Sequence, residues 1–249
     1  MLNSKKWFYV IILTFTIAFL FSQSINDLKL YTEQYPPFNF EENGELKGIT
    51  VDLITKMLET AGSELGKSDI QLLAWARAYN LTLENENTCL FATTRTEDRE
   101  NKFKWVGPIA PTKISVLALK ERKISINSAA DLKQYDIGVI RDDVGQQLLE
   151  KLDMKKNIQK VADNKLNMRK ITNNRIDLWA YEENVAKWQL KSAGYDPNNF
   201  ETVYTLKKAQ LYFALNKNTN EKIVNKLQNS LDTLKENGTY QKILDRYLK

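Results

Sequence analysis

The sequence predicts an α/β fold large enough for two modest lobes. Three observations carry this. Short apolar runs of strand length alternate with amphipathic helical stretches along most of the chain. The chain has 249 residues, 43% of them apolar and 27% charged, so a packed interior is within reach and a membrane-embedded body is not. Glycine and proline are sparse, at 9 and 5, which excludes a disordered or collagen-like chain.

The first element is a leader. Lys5 and Lys6 precede an uncharged, mostly apolar stretch over 7–21. Ser22-Gln23-Ser24 then offers small residues at the −3 and −1 positions of a cut before Ile25. The apolar run is shorter than the roughly 20 residues a membrane-spanning helix needs, so 1–24 is expected to be a cleaved export signal. No cysteine follows it to carry a lipid, and no later run is long enough to span a bilayer.

After the leader, 28–31 reads as a strand. It runs into Tyr35-Pro36-Pro37-Phe38, which cannot be helical because each proline restricts its predecessor. Asn43-Gly44 signals a turn. Thr50 is expected to cap a helix ending near Ala61, with Val51, Ile54 and Leu58 on its buried stripe and Gly62 as its stop. A strand over 70–75 follows. This β, loop, α, β opening favours a parallel sheet.

The next strands are expected at 90–94 and 114–119, separated by the very polar Arg95-Thr96-Glu97-Asp98-Arg99-Glu100. Ser128 or Asp131 opens a short helix, and 135–140 is a strand. Val144, Leu148, Leu149 and Leu152 mark a helix. Helices over 167–173 and 184–192 flank a strand over 176–181. A last strand at 211–215 precedes two helices. Ile223, Leu227, Leu231 and Leu234 line the first; Tyr240, Ile243, Leu244, Tyr247 and Leu248 line the second. Gly238 separates them and Thr239 can cap the second. In such a fold, ligands bind beyond the carboxyl ends of the strands.

Composition removes several chemistries. There is no histidine, hence no usual general base, metal ligand or triad member. The one cysteine, Cys89, cannot form an internal disulfide and lies in the apolar run Cys89-Leu90-Phe91-Ala92, which reads as a buried small side chain. The formal charge of +5 comes from 36 basic and 31 acidic residues with no basic run, which does not suit a nucleic-acid partner.

Five stretches, in order, resemble the family-3 solute-binding proteins of bacterial ABC importers. Tyr35-Pro36-Pro37-Phe38 with 48–53 is similar to that family's opening strand, loop and helix. Arg95-Thr96-Glu97-Asp98-Arg99 with Phe103-Lys104-Trp105 is similar to its Thr-x-x-Arg element and following aromatic. Asp131-Leu132-Lys133 through Gly138-Val139 resembles the start of its second lobe. Asn174-Arg175-Ile176-Asp177 with Glu182 resembles its Gly-Arg-x-Asp strand and acidic site residue. Gly238-Thr239-Tyr240 with Ile243 resembles its penultimate signature.

The resemblance implies an α/β, two-lobed periplasmic binding protein (type II) fold with two interlobe crossovers and a ligand cleft between the lobes. Lobe 1 would be 25–110 plus 210–249, and lobe 2 would be 111–209. The lobes would close on a small polar ligand, in that family an amino acid or derivative, and hand it to the permease of an ABC importer. A monomer in the periplasm is expected, with no cofactor, no metal and no catalysis. Two alternatives stay open: a ligand-sensing subunit of a membrane receptor, and a dehydratase-like enzyme on the same fold.

The resemblance also assigns residues. An amino acid carries a carboxylate and an ammonium, and a dry cleft must pair both. Arg99 would fork onto the carboxylate, with Arg95 as its competitor and Arg77, flanked by Trp75 and Tyr79, as a further candidate. Thr94 matches a hydroxyl position, and Glu182 would take the ammonium, with Glu183 beside it. Tyr35, Phe38 and Trp75 are aromatic faces for the ligand. Asp142, Asp143, Val144 and Gly145 stand where the family has glycine and small hydroxyl residues before a helix. Val144 would offer a free N–H there. Asp143 would cap the helix, repel a carboxylate or attract a cation.

Overall fold

The computed structural model describes residues 24–248, so the expected leader, Ser24 excepted, lies outside the described residues. Among the described residues there are ten strands: β1 (Lys29–Thr32), β2 (Phe40–Glu42), β3 (Glu45–Lys47), β4 (Ile70–Leu72), β5 (Thr88–Thr94), β6 (Phe103–Leu119), β7 (Ile137–Ile140), β8 (Ile158–Val161), β9 (Leu178–Glu182) and β10 (Phe200–Asn216). Eight α-helices accompany them among the described residues, besides short 3-10 turns: α1 (Ile49–Thr60), α2 (Trp75–Glu84), α3 (Glu97–Glu100), α4 (Val144–Lys151), α5 (Asn164–Thr172), α6 (Glu183–Ser192), α7 (Glu221–Glu236) and α8 (Thr239–Leu248).

Eight of the strands form one mixed sheet in the order β4-β1-β5-β10-β6-β9-β7-β8. At each end three strands run parallel: β4-β1-β5 and β9-β7-β8. Between them the 17-residue strands β6 and β10 pair antiparallel, from Phe103 opposite Asn216 to Leu119 opposite Phe200. This ribbon joins the two ends of the sheet. β9 alternates its faces: Leu178 and Ala180 pack into one apolar cluster with Val116, Ile137 and Val139. Trp179 and Tyr181 turn to the other side, ring centroids 5.8 Å apart.

Several expected elements form as the sequence suggests, and others need correction. The strand expected over 70–75 ends at Leu72, and Trp75 instead opens α2. Trp75, Ala78, Tyr79 and Thr82 are buried at i, i+3, i+4, i+7 spacing, a helical stripe that overrides the β tendency of the aromatics. Thr50 does not cap α1. Gly48 does, at φ 125°, and Thr50 sits in the first turn, its hydroxyl donating to the Phe38 carbonyl and Asn39 Oδ1. A Cβ on Gly48 would run into the Phe38 carbonyl, so glycine is required both by φ and by space. The strands expected at 114–119 and 211–215 are the ends of β6 and β10. The middle of β10 is largely half-exposed and is held by backbone pairing, whereas β6 keeps Ile109, Ala110 and Thr112 buried beside the exposed Pro108 and Pro111. The edge strand β8, with Gln159 and Lys160 in a four-residue run, carries no apolar pattern to announce it.

The Asn43-Gly44 turn closes the β2–β3 hairpin, with Glu42 opposite Glu45. Ser128 precedes the short helix Ala129–Gln134, and the Asp131 carboxylate accepts from the Asn127 and Ser128 N–H groups. The two C-terminal helices form and α7 packs on α1, but Thr239 is the first residue of α8 rather than its cap, and Leu248, expected on its apolar stripe, is exposed. Cys89 is fully buried, and that burial pushes its thiol up, away from reactivity. Among the described residues, no helix is long and apolar enough to cross a membrane.

Candidate functional site

The carboxyl ends of the parallel strands at both ends of the sheet lead into one cleft. From β1 comes the segment 33–38, from β4 comes α2, and from β5 comes α3. From β7 comes Asp142 and α4, from β8 comes α5, and from β9 comes Glu182 with α6. A cavity of about 450 Å³ lies between these two sets, lined by Glu33, Ala74 and Trp75 from one and by Ile140, Asn164 and Lys165 from the other. This is the position the α/β rule predicts.

Arg99 is the anchor of the cleft. It is fully buried, on the single turn of α3. Its Nε donates to Gln147 Oε1 at 3.0 Å, Nη1 to the Thr94 carbonyl at 3.3 Å and Nη2 to the Asp142 carbonyl at 3.4 Å. The guanidinium lies 5.2 Å from the Trp75 ring centroid and 5.0 Å from that of Tyr79. Trp75 and Tyr79 themselves stack, 5.4 Å apart. One hydrogen bond and two π faces from its own wall, and two hydrogen bonds from the opposite wall, define the orientation of the fork. Thr94, buried at the end of β5, thus meets Arg99 through its carbonyl.

The other arginines separate cleanly. Arg95 turns to the opposite side, where it makes two bonds to Glu100 and stacks on Trp105 and Tyr212. Arg77 stands on the exposed face of α2, away from the stripe of Trp75 and Tyr79. Neither joins the cluster around Arg99. Phe38 is buried behind Tyr35, ring centroids 5.8 Å apart, and supports that ring from the core.

The Asp142 carbonyl ties the two walls together. Asp142 adopts φ 60°, in the left-handed region. Its carbonyl accepts from Trp75 Nε1 at 3.0 Å and Gln147 Nε2 at 3.0 Å as well as from Arg99. Asp143, buried next to it, is the N-cap residue of α4, and its carboxylate lies beside the Val144 and Gly145 N–H groups. Val144 is buried at the first position of that helix.

Acids crowd the centre. Burial pushes the Asp143 carboxyl up, against the pull of Arg99 and those N–H groups. Half-buried Glu33, beyond the end of β1, is pushed well above the usual carboxylate range, by burial first and Asp143 second, with Arg99 opposing. Its backbone is set by Asn39, whose Nδ2 donates to the Glu33 carbonyl at 2.7 Å. Glu182, buried at the end of β9, is also raised by burial, although it accepts from Val185 N at 2.7 Å and Lys113 N at 3.3 Å. The first of those bonds makes it the side-chain cap of α6. Glu183 turns outward to Lys113 and Lys187, which outweigh its partial burial and hold it at about 2.

Two tyrosines complete the cluster. Tyr35 and Tyr181 meet edge to face at 5.7 Å. Burial raises both phenols, and Glu182, Asp143 and Glu33 add to the shift. The Tyr35 hydroxyl faces Thr112. The Tyr181 hydroxyl is buried with no hydrogen-bond partner among the described residues. Sequence reasoning missed Glu33, Gln147 and Tyr181. The place of Glu33 just after a strand that feeds the cleft was the available signal. Nothing in the local sequence marked Gln147, which depends on how α4 faces α3.

Comparison with known proteins gives the same frame. The model of the bacterial extracellular solute-binding proteins, family 3, matches residues 28–249. A probable amino-acid-binding protein, YxeM of Bacillus subtilis (strain 168), is 24% identical over 226 residues, covering 87% of this chain and 81% of that protein. An ancestral arginine-binding protein bound to arginine shares the fold with a TM-score of 0.76 at 20% identity, over 91% of this chain and all of that one. A histidine kinase sensor domain with similarity to periplasmic binding proteins superposes with a TM-score of 0.78 at 16% identity, over 89% and 96% of the two chains. The fold is therefore the two-lobed, mixed α/β architecture of periplasmic binding proteins, and the chain belongs to the bacterial extracellular solute-binding proteins, family 3.

Proposed function

We propose that this protein captures an α-amino acid in the periplasm, by closure of two lobes, and delivers it to the membrane permease of an ABC importer. The observation that carries the reading is Arg99: a buried guanidinium, held by groups from both walls of a cleft, at the place where a ligand carboxylate needs a planar donor. Thr94, Tyr35 and Trp75 would frame the α-carbon, and Glu182 would receive the ammonium. Phe38, Asp143 and Val144 would support this arrangement. Lobe 1 would comprise 25–110 plus 210–249 and lobe 2 111–209, hinging where Pro111 faces Gln210 in the long ribbon. The protein would act as a monomer after losing residues 1–24.

Ligand retained through purification, identified by mass spectrometry after denaturation, tests the capture. An amino acid added at about a hundredfold excess over Kd stabilises by about 2.7 kcal/mol. It should raise the melting temperature by roughly 5–10 °C for a chain of this size. A response confined to sugars or metal ions overturns the reading, and slow conversion of the ligand replaces binding with catalysis. The likeness to a histidine kinase sensor domain supports a second reading, in which the closed form reports to a membrane receptor. Co-purification with a permease or with a receptor separates the two.

A further inference from the structure

We infer that Ala92 is a positioning residue of the cleft: held in the left-handed region inside β5, it forms a bulge that aims the Thr94 carbonyl and, through it, the Arg99 guanidinium. The inference rests on the amino-acid reading above and deepens it by naming what places the anchor.

The pairing of two strands carries the argument. β5 and β10 run antiparallel, with Leu215 opposite Cys89 and Ala214 opposite Leu90. An unbroken register would bring Thr94 opposite Gln210. Thr94 lies opposite Leu211 instead, and Thr93 opposite Tyr212. Phe91 and Ala92 therefore stand together against Phe213, which is the signature of a bulge. The rings of Phe91 and Phe213 meet edge to face at 5.7 Å. Ala92 is buried and has φ 50°. Among the described non-glycine residues with positive φ, it alone lies inside a strand; the others stand in turns and, Lys123 apart, are Asn or Asp. A Cβ is disfavoured in this region, and glycine would carry the same bend without it.

The extra residue has two effects. It holds Thr94 back by one position, about 3.3 Å along the strand, and it reverses the face that each later side chain presents. Both effects reach Arg99 directly. Thr94 ends β5, its carbonyl accepts from Arg99 Nη1 at 3.3 Å, and α3 begins at Glu97. The chain stays tied to β10 beyond the bulge, because Arg95 N donates to the Gln210 carbonyl at 3.1 Å. The offset is thus handed on to α3 rather than absorbed. Thr93 closes the bulge locally, its Oγ1 donating to the Leu90 carbonyl at 3.4 Å. In the unbroken register the Thr94 carbonyl would move on by one position, and Arg99 would lose the hydrogen bond that its own wall supplies. A left-handed alanine kept in a buried strand, just before an anchor residue, is the kind of strain that binding sites retain.

Ala92→Val puts a β-branched side chain where φ is positive and should force the bulge to relax. Isothermal titration of ligand-stripped protein with L-arginine, L-glutamine and L-histidine finds which of them the parent binds tightest. For that amino acid, Ala92→Val should raise Kd at least about tenfold, and Ala92→Gly, which carries the bulge without strain, should recover most of the loss. Arg99→Ala should cost markedly less in the Ala92→Val background than in the parent, because the guanidinium it removes is already displaced. The NMR signal of the Arg99 Nε–H, identified by its loss in Arg99→Lys, reads the same placement without ligand. It should shift in Ala92→Val and return in Ala92→Gly, with circular dichroism confirming that each variant is folded. If Ala92→Val does not fold, Thr93→Val deletes only the bond that closes the bulge; it should shift that signal and weaken binding about two- to tenfold. An unmoved signal with parent-like affinity, in folded Ala92→Val or failing that in Thr93→Val, overturns the inference. So does an Ala92→Gly variant as weak as Ala92→Val, or losses from Ala92→Val and Arg99→Ala that simply add. If the parent binds none of the three amino acids but the signal responds as expected, the inference stands and the amino-acid reading falls. If the signal also fails to respond, both fall.

Discussion

Replacing Arg99 with alanine removes the central positive charge of the cleft. The side chain is fully buried, and three hydrogen bonds of 3.0–3.4 Å and two aromatic faces define its position. The Thr94 carbonyl, Trp75 and Tyr79, all on its own wall, already order the guanidinium, so a ligand carboxylate spends little on ordering it. Truncating one partner of a buried, hydrogen-bonded charge pair costs about 2–5 kcal/mol, or a factor of roughly 30 to 5,000 in Kd. Arg99→Lys keeps the charge but loses the planar fork, and should fall between. Arg95→Ala breaks the pair with Glu100, a surface pair of the kind that contributes about 0–1 kcal/mol to stability, and the stacking on Trp105 and Tyr212, all away from the cleft. Calorimetry on the three variants with L-arginine measures the series, and thermal unfolding checks that each is folded. Binding of Arg99→Ala within about threefold of the parent, with a larger loss from Arg95→Ala, would refute the reasoning.

Trp75→Phe keeps an aromatic face on Arg99 but deletes the indole bond to the Asp142 carbonyl. That bond is worth about 0.5–1.5 kcal/mol, so the closed population without ligand should fall roughly two- to tenfold. Solution scattering should then show a larger radius of gyration, and an unchanged radius would remove the carbonyl from the closing contact. Glu182→Ala removes the α6 cap at a cost of about 1–2 kcal/mol, which lowers the melting temperature by roughly 2–8 °C. An unchanged melting temperature with lost binding would give Glu182 to the ligand alone. The raised carboxyls of Glu33, Asp143 and Glu182 contribute stability that is complete below their unfolded values and is lost as pH rises through the folded ones. The ligand-free protein should therefore lose melting temperature as pH rises above the ordinary carboxylate range, and Glu33→Gln should flatten that slope. Glu183 works in the opposite sense, losing its contribution as pH falls from its unfolded value towards 2. A parent profile that is flat over the upper window would contradict the buried acids.

The sequence alone determined the layout. The alternation of apolar runs and amphipathic stripes placed α1, α4, α7 and α8, because period and capping are local properties of the chain. The Thr-x-x-Arg element pointed to Arg99, and Asp143 and Glu182 stood out as acids beside a helix start. Tertiary structure decided what those residues meet. Arg95 and Arg99 are four apart in a polar run, and only the packing of α3 sends one to the surface with Glu100 and the other under Trp75. Asp142 could be read as a charge; in the fold its carbonyl is the group that accepts from both walls, because a left-handed φ turns it into the cleft. Glu33 became part of the site through a loop held by Asn39, whose side chain bonds the Glu33 carbonyl and the Thr50 hydroxyl, and by Gly48, which packs against the Phe38 carbonyl. Local periodicity records which face of an element is buried. The groups that come together in a cleft are set by contacts between strand ends far apart along the chain, and no short window of sequence contains them.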